Sequence, residues 1–198
     1  NSWLTALEEQ MSGIGVAIAA ARREQVQKLN AFIEQNPDDV FPEAVLTLDG
    51  TIEQMLDTKP AIYVEDFYRE SLFNQRRSIL FNDSSSSINK TDLCAVYKKK
   101  NVPAGLCSTG EQKSLLLSII LAQAKSLLHS RGIPPILLLD EVAAHLDDSK
   151  KDALLSKIKA MHLQAWLTTT TLFEFLSIRE NAQFFEVKDN TVREIVLG

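Results

Sequence analysis

Cysteine is nearly absent from this sequence, with Cys94 and Cys107 the two in 198 residues. Two thiols cannot build a disulfide framework, and their spacing is not that of a metal-binding pair, so a reducing cytoplasm is the expected compartment. Glycine is scarce too. The seven are Gly13, Gly15, Gly50, Gly105, Gly110, Gly132 and Gly198. None stands in the G-x-x-x-x-G-K-[ST] pattern with which a P-loop wraps backbone N–H groups and a lysine around nucleotide phosphates. No apolar run approaches the roughly 20 residues of a membrane span, and no secretory leader pattern opens the chain. Positive charge is outweighed, 21 lysines and arginines against 26 aspartates and glutamates, for a net charge of -5. That balance argues against a chain coated in nucleic acid. It is compatible with a local basic patch, because binding follows the distribution of charge and not its sum.

What is present is ordinary globular material, 45% hydrophobic and 24% charged, enough for one substantial domain or two small ones. A helical pattern runs from the start to about residue 36, with Ile14, Ala17, Ile18, Ala21, Val26 and Leu29 near a three-four spacing. Asn36-Pro37 ends it, since proline drives its predecessor out of the helical region. At about 1.5 Å per residue such a helix is about 45 Å long, the length of an arm or of a lobe-spanning helix. Ala44–Leu48 alternates and stops at Asp49-Gly50, a strand and turn. Helical segments follow near 51–56 and 64–80, then a loop around Ser84–Ser87, then a strand over Asp92–Tyr97 that Lys98–Lys100 and Val102-Pro103 interrupt.

From Ser108 the alternation becomes regular. The pattern predicts a helix over Glu111–Arg131 closed by Gly132 and Pro134, and a strand over Ile136–Leu139 whose unbroken apolar run suits burial on both faces. It continues with a helix over Ser149–Met161, a strand over Gln164–Thr168, a helix over Phe173–Asn181 and a hairpin over Phe184–Val196 turning at Asp189-Asn190. Helix and strand in this order predict an α/β layer with a largely parallel sheet. Trp3 and Trp166 are expected in the core, and His129 and His162 as surface or satisfied residues.

Two short stretches have the residue types of a nucleotide-hydrolysing site. Ser108-Thr109-Gly110-Glu111 fits the capping box, a serine followed three residues later by glutamate ahead of an apolar run. Many helices begin so; a helix N-terminus is also an anion site, and Gly110 lets a phosphate approach the backbone. Asp140-Glu141 closes the apolar run ILLL at the carboxyl end of a strand, where open α/β sheets place their ligands. One carboxylate there can hold Mg2+ and the other orient the attacking water. A buried strand followed by an acidic helix cap has the same appearance. Arg22-Arg23, Arg76-Arg77 and Lys98-Lys99-Lys100 are candidate contacts for DNA phosphates, with solvated charge as the default.

Taken together, Ser-x-Gly-Glu, the helix, the strand ending Asp-Glu and then Ala143-Ala144-His145-Leu146-Asp147 resemble the second half of an ABC-type ATPase head. In that family they are the signature motif, Walker B and the D-loop. The wording CSTGEQK, ILLLDEVAAHLD and FFEVKDN is similar to the RecF family, SMC-like ATPases of DNA repair. Upstream the likeness is looser, through Trp3, Arg22-Arg23, Phe41-Pro42 and Leu46-Leu48-Gly50. The resemblance implies the C-terminal part of an ABC/SMC-like ATPase head over 91–198 and a helical arm or lobe over 1–90. It implies ATP sandwiched between two heads of a homodimer. Ser108, Thr109, Gly110, Glu111 and Gln112 would face the nucleotide of the partner, Asp140 would hold Mg2+, Glu141 would act on the attacking water and Asp147 would couple the two sites. His145 in the D-loop would touch the second subunit. The partners implied are duplex, gapped or junction DNA, and RecO and RecR.

The family's P-loop precedes the helical arm, so a chain beginning at Asn1 inside the arm is expected to be a C-terminal portion, inactive alone, of a weak ATPase. Two positions depart from the general ABC pattern. Thr109 stands where most signatures have glycine, which narrows the room for phosphate. Thr168-Thr169-Thr170 stands where a switch histidine is usual; Thr168 or Thr169 can donate to a phosphate there, or the run is simple strand propensity. Two alternatives stay open: another SMC-like head, such as one with an appended nuclease, and a non-catalytic module that keeps these motifs for dimerisation.

Overall fold

The first helix, α1 over Ser2–Glu34, is the spine of the N-terminal unit. Its 33 residues span about 50 Å at about 1.5 Å each, and its two halves bury different neighbours. Val16 and Ala19 pack with Ile52 of α2 (Thr51–Met55) and with Val64 and Tyr68 of α3 (Ala61–Gln75). Leu29 and Ile33 pack with Ala44 and Leu46 of strand β1 (Ala44–Asp49) and with Leu115 and Ala122 of α4 (Thr109–Arg131). The computed structural model describes residues 2–35, 40–76, 88–142 and 146–196. The expected helix stop at Asn36-Pro37, the serine loop at Ser84–Ser87, Arg77 and His145 lie outside the described residues.

β1 pairs antiparallel with β2 (Asp92–Tyr97), from Ala44 opposite Tyr97 to Asp49 opposite Asp92. The segment after β2 turns back sharply, with Asn101 at φ 53°, and Val102–Pro103 pairs as a short β3. Asn30 of α1 closes the side of β1 that faces it, donating to the Leu46 carbonyl at 2.9 Å and accepting from the Leu46 N–H at 2.8 Å. Behind α2, Glu53 is buried and takes Arg22 at 3.2 Å and the Thr91 hydroxyl at 2.9 Å. This ties α1 and α2 to the start of β2, and a buried carboxylate is tolerated there because it is paired and hydrogen-bonded.

Two glycines of α1 make opposite predictions. A Cβ at Gly15 would lie 2.5 Å from the ring of buried Tyr68, whereas one at Gly13 would meet nothing within 4 Å. Alanine gains about 1 kcal/mol over glycine in a helix interior, but overpacking a filled core costs about 1–3 kcal/mol. Gly13→Ala is therefore expected to raise the melting temperature and Gly15→Ala to lower it, as thermal unfolding followed by circular dichroism reads directly.

The C-terminal unit begins at Pro134. Strands β4 (Ile136–Leu139) and β5 (Gln164–Leu167) run parallel in register from Ile136 opposite Gln164 to Leu139 opposite Leu167. Between them in sequence lies α5 (Asp148–Ala160). After β5, residues 172–181 wind as a 3-10 helix over the span expected to be helical. β6 (Phe184–Lys188) and β7 (Thr191–Ile195) form the expected hairpin, turning through Asp189 and Asn190 at φ 49° and 58°. The two compact units divide between Ile133 and Pro134, later than the motif-based division at 90. The helix α4 thus falls in the first unit and β4 in the second.

Three sequence expectations are corrected. In β4, Leu137 and Leu139 are buried but Ile136 and Leu138 are 60% and 77% exposed, so the run is covered on one face, not two. Trp3 is 70% exposed, and Trp166 is 53% exposed with its ring stacked on Phe185 at 6.1 Å. Apolar character alone does not decide burial, since much of any protein surface is apolar.

Candidate functional site: a capped helix start and a carboxylate pair

The segment CSTGEQK forms the start of α4. Ser108 is the N-cap, its hydroxyl accepting from the Glu111 N–H at 3.4 Å while Glu111 Oε2 accepts from the Ser108 N–H at 3.1 Å. The hydroxyl also donates to Glu111 Oε2 at 3.0 Å. Lys100, from the turn after β2, pairs with the other Glu111 oxygen and lies 5.7 Å from the Tyr97 ring centroid. The lysine first, and then the Ser108 N–H and hydroxyl, hold the Glu111 carboxyl down at about 2. Glu111 thus stays ionised at the positive end of its helix.

Gln112 folds back, donating to the carbonyls of Cys107 at 3.1 Å and Gly105 at 3.3 Å. It braces the entering loop, as does Cys107, which packs against the core beneath. Thr109 is exposed in the first turn. A Cβ on Gly110 would meet no protein atom within 4 Å, so packing within the chain does not demand glycine there and the approach to its backbone is open.

In the second unit the carboxylates Asp140 and Glu141 follow β4 directly, and both are exposed. Parallel pairing brings the end of β5 beside them. The Thr168 hydroxyl donates to Asp140 Oδ1 at 2.5 Å and accepts from the Glu141 N–H at 2.8 Å, and the Thr168 N–H donates to the Leu139 carbonyl at 3.1 Å. Glu141 has φ 47°, a left-handed conformation that costs an L-residue roughly 1–2 kcal/mol. Thr169 is occupied elsewhere, with its hydroxyl against the Glu174 carboxylate and the Thr171 N–H at 3.2 Å. Asp147 is the N-cap of α5, accepting from the Lys150 N–H at 2.9 Å, and that bond is the main reason its carboxyl lies below its ordinary value.

The donor set at Asp140 fits Mg2+. This ion takes one or two protein carboxylates and completes its shell with water and phosphate oxygens, and Asp140 offers an exposed carboxylate with one oxygen occupied by Thr168. Among the described residues no three acidic, histidine or cysteine side chains gather into a cage of their own. Five of the cations read as DNA candidates are engaged internally: Arg22 with Glu53, Arg23 with Asp57 at 2.5 Å, Arg76 with Glu8, Lys98 with Glu43 at 2.7 Å, and Lys100 with Glu111. Sequence reasoning missed Asn30, and it read Lys100 and Thr168 as candidate phosphate contacts and not for the bonds they make here, to Glu111 and to Asp140. A hydroxyl closing the strand beside the Asp-Glu strand was the available signal for Thr168.

A serine-capped helix start opening a long helix, then a parallel strand ending in two carboxylates with an aspartate-capped helix after it, define part of an SMC-like ABC-type ATPase head. No protein-family profile matches the chain. It is 42% identical over 194 residues to the DNA replication and repair protein RecF of Mesorhizobium japonicum, covering 97% of this chain and 51% of that protein. To the protein of the same name from Brucella abortus it is 39% identical over 189 residues, covering 94% and 49%. The fold matches a solved structure of the recombination mediator RecF with ATPrS at a TM-score of 0.73 and 18% identity, covering 98% of this chain and 51% of that one. A second, RecF with ATP, matches at 0.68 and 19% over the same shares. The chain belongs to the RecF family. It spans about half the length of the curated relatives it matches.

Proposed function

We propose that this chain is the signature and Walker B portion of a RecF-like, ATP-dependent DNA-binding protein of recombinational repair and of replication-gap repair, acting in the cytoplasm. In this reading residues 1–90 are the arm and lobe and 91–198 bear the head motifs. The observation that carries it is the Asp140–Glu141 pair emerging at the carboxyl end of β4 with both groups exposed and fixed from β5. The fold shared with RecF bound to ATP supports it.

Each residue then has a task. Ser108, Thr109 and Gly110 present the first turn of α4 to the nucleotide held by a second copy, with N–H groups and the helix dipole meeting its phosphate. Glu111 and Gln112 keep that turn formed. Asp140 would hold Mg2+, which supplies charge neutralisation between the phosphates. Glu141 accepts a proton from the attacking water, and Asp147 fixes the start of α5 between the two sites. The DNA surface and contacts with RecO and RecR belong to the same proposal and rest on family membership.

Without a G-x-x-x-x-G-K-[ST] cradle among its residues, the chain by itself is expected not to bind Mg·ATP at micromolar concentration. Completed to the length of its RecF relatives, it is expected to bind ATP and to dimerise with it. Calorimetric titration and sedimentation of the two forms test this. Micromolar binding by the chain alone, or no ATP-dependent dimer in the completed protein, contradicts the proposal.

A further inference from the structure

We infer that Thr168 is a positioning residue for the carboxylate pair. Its hydroxyl aims Asp140 and holds the backbone of Glu141 in the left-handed conformation, and it does not itself touch phosphate. The inference rests on the roles proposed above for Asp140 and Glu141.

Three bonds from this one residue reach three consecutive residues of the β4 terminus. The N–H goes to the Leu139 carbonyl at 3.1 Å, the O–H to Asp140 Oδ1 at 2.5 Å, and the oxygen receives the Glu141 N–H at 2.8 Å. A threonine hydroxyl has one proton to give, and here Asp140 takes it, so none remains for a phosphate. The bond engages one Asp140 oxygen and fixes the rotation of the carboxylate, leaving Oδ2 for a cation. The bond from the Glu141 N–H satisfies a backbone donor at the place where φ turns to 47° and strand pairing cannot continue. Catalytic groups must be held within about 0.5 Å of their working geometry by neighbours that are themselves fixed, and Thr168 is fixed by its backbone bond to β4.

The test compares Thr168→Val, which keeps the shape and loses both hydroxyl bonds, with Thr168→Ser, which keeps both, in the chain completed to RecF length. Without nucleotide, the Glu141 amide of the valine variant is expected to exchange its hydrogen about tenfold faster than in the parent, measured by NMR. The Thr168 amide, whose bond to Leu139 survives, should be unchanged, which separates loss of the clamp from loss of the sheet. With nucleotide, valine should raise the Mg2+ concentration for half-maximal hydrolysis about tenfold and leave ATP affinity without Mg2+ at the parent value. Serine should restore both readings. Parent-like exchange at Glu141 in the valine variant overturns the inference. So does a weakened affinity for ATP without Mg2+ beside an unchanged Mg2+ requirement, which makes Thr168 a phosphate contact. If Asp140→Asn leaves the Mg2+ requirement unchanged, the reading of Asp140 fails and cation placement by Thr168 falls with it, whereas fast exchange in the valine variant would still establish the clamp as structural.

Discussion

Glu141→Gln, in the chain completed to RecF length, is expected to slow ATP hydrolysis by about 10²–10⁴-fold, the usual contribution of a general base, with ATP-dependent dimers as populated as in the parent or more so. The structure makes this a clean substitution. The bond that Glu141 makes to Thr168 uses its backbone N–H, at 2.8 Å, and glutamine keeps it. The backbone stays at φ 47° with the same cost for either side chain, so stability should change little. What is lost is the ability to take a proton from water. Single-turnover hydrolysis measured beside sedimentation separates chemistry from assembly, and parent-like turnover would remove Glu141 from the role of base.

Ser108→Arg is expected to abolish ATP-driven dimerisation while each subunit still binds its own ATP. A cap substitution by itself costs about 1 kcal/mol. Here the cost is limited further because the Glu111 bond to the residue 108 N–H and the Lys100–Glu111 pair do not need the serine hydroxyl. The helix start should therefore survive. A guanidinium side chain beside the open backbone of Gly110 would fill the space that the proposal gives to the partner's phosphate. Ser108→Ala controls for the lost cap alone: it should melt like the arginine variant yet retain most of the dimer. Dimerisation of the arginine variant at the parent level would leave CSTGEQK as an ordinary helix start.

Features written in local chemistry were legible. The capping box at Ser108 and Glu111, the left-handed Gly132 at φ 66° closing α4, and the Asp189-Asn190 turn with both residues at positive φ depend on neighbouring residues, and they formed as expected. Features that depend on distant partners were not. Val102–Pro103 looked like an interruption because its strand exists only through pairing with β2. The run ILLL suggested two buried faces, but among the described residues β4 pairs with β5 alone and its Ile136 and Leu138 face stays open. Thr168 lies 28 residues from Asp140, so its run of threonines read equally well as a phosphate contact or as strand propensity. Only the parallel register of β4 and β5 brings its hydroxyl to the pair. Arg22, Arg23 and Arg76 were visible as charge, but Glu53, Asp57 and Glu8, the carboxylates that take them, come from other elements.

The central claim is that the Ser108 segment of one copy and the Asp140–Glu141 pair of another serve a single nucleotide. Mixing Ser108→Arg with Asp140→Asn, both in the completed chain, tests it most directly. Each variant alone breaks both sites of its dimer. In the mixed dimer one site joins the intact carboxylates of the first subunit to the intact helix start of the second, and the other site carries both defects. The account predicts that ATP hydrolysis by the mixture rises well above either variant alone, with half the parent rate for each mixed dimer formed. Activity no greater than the average of the two separate variants would contradict it, since both sets of residues would then act within one subunit or not at all.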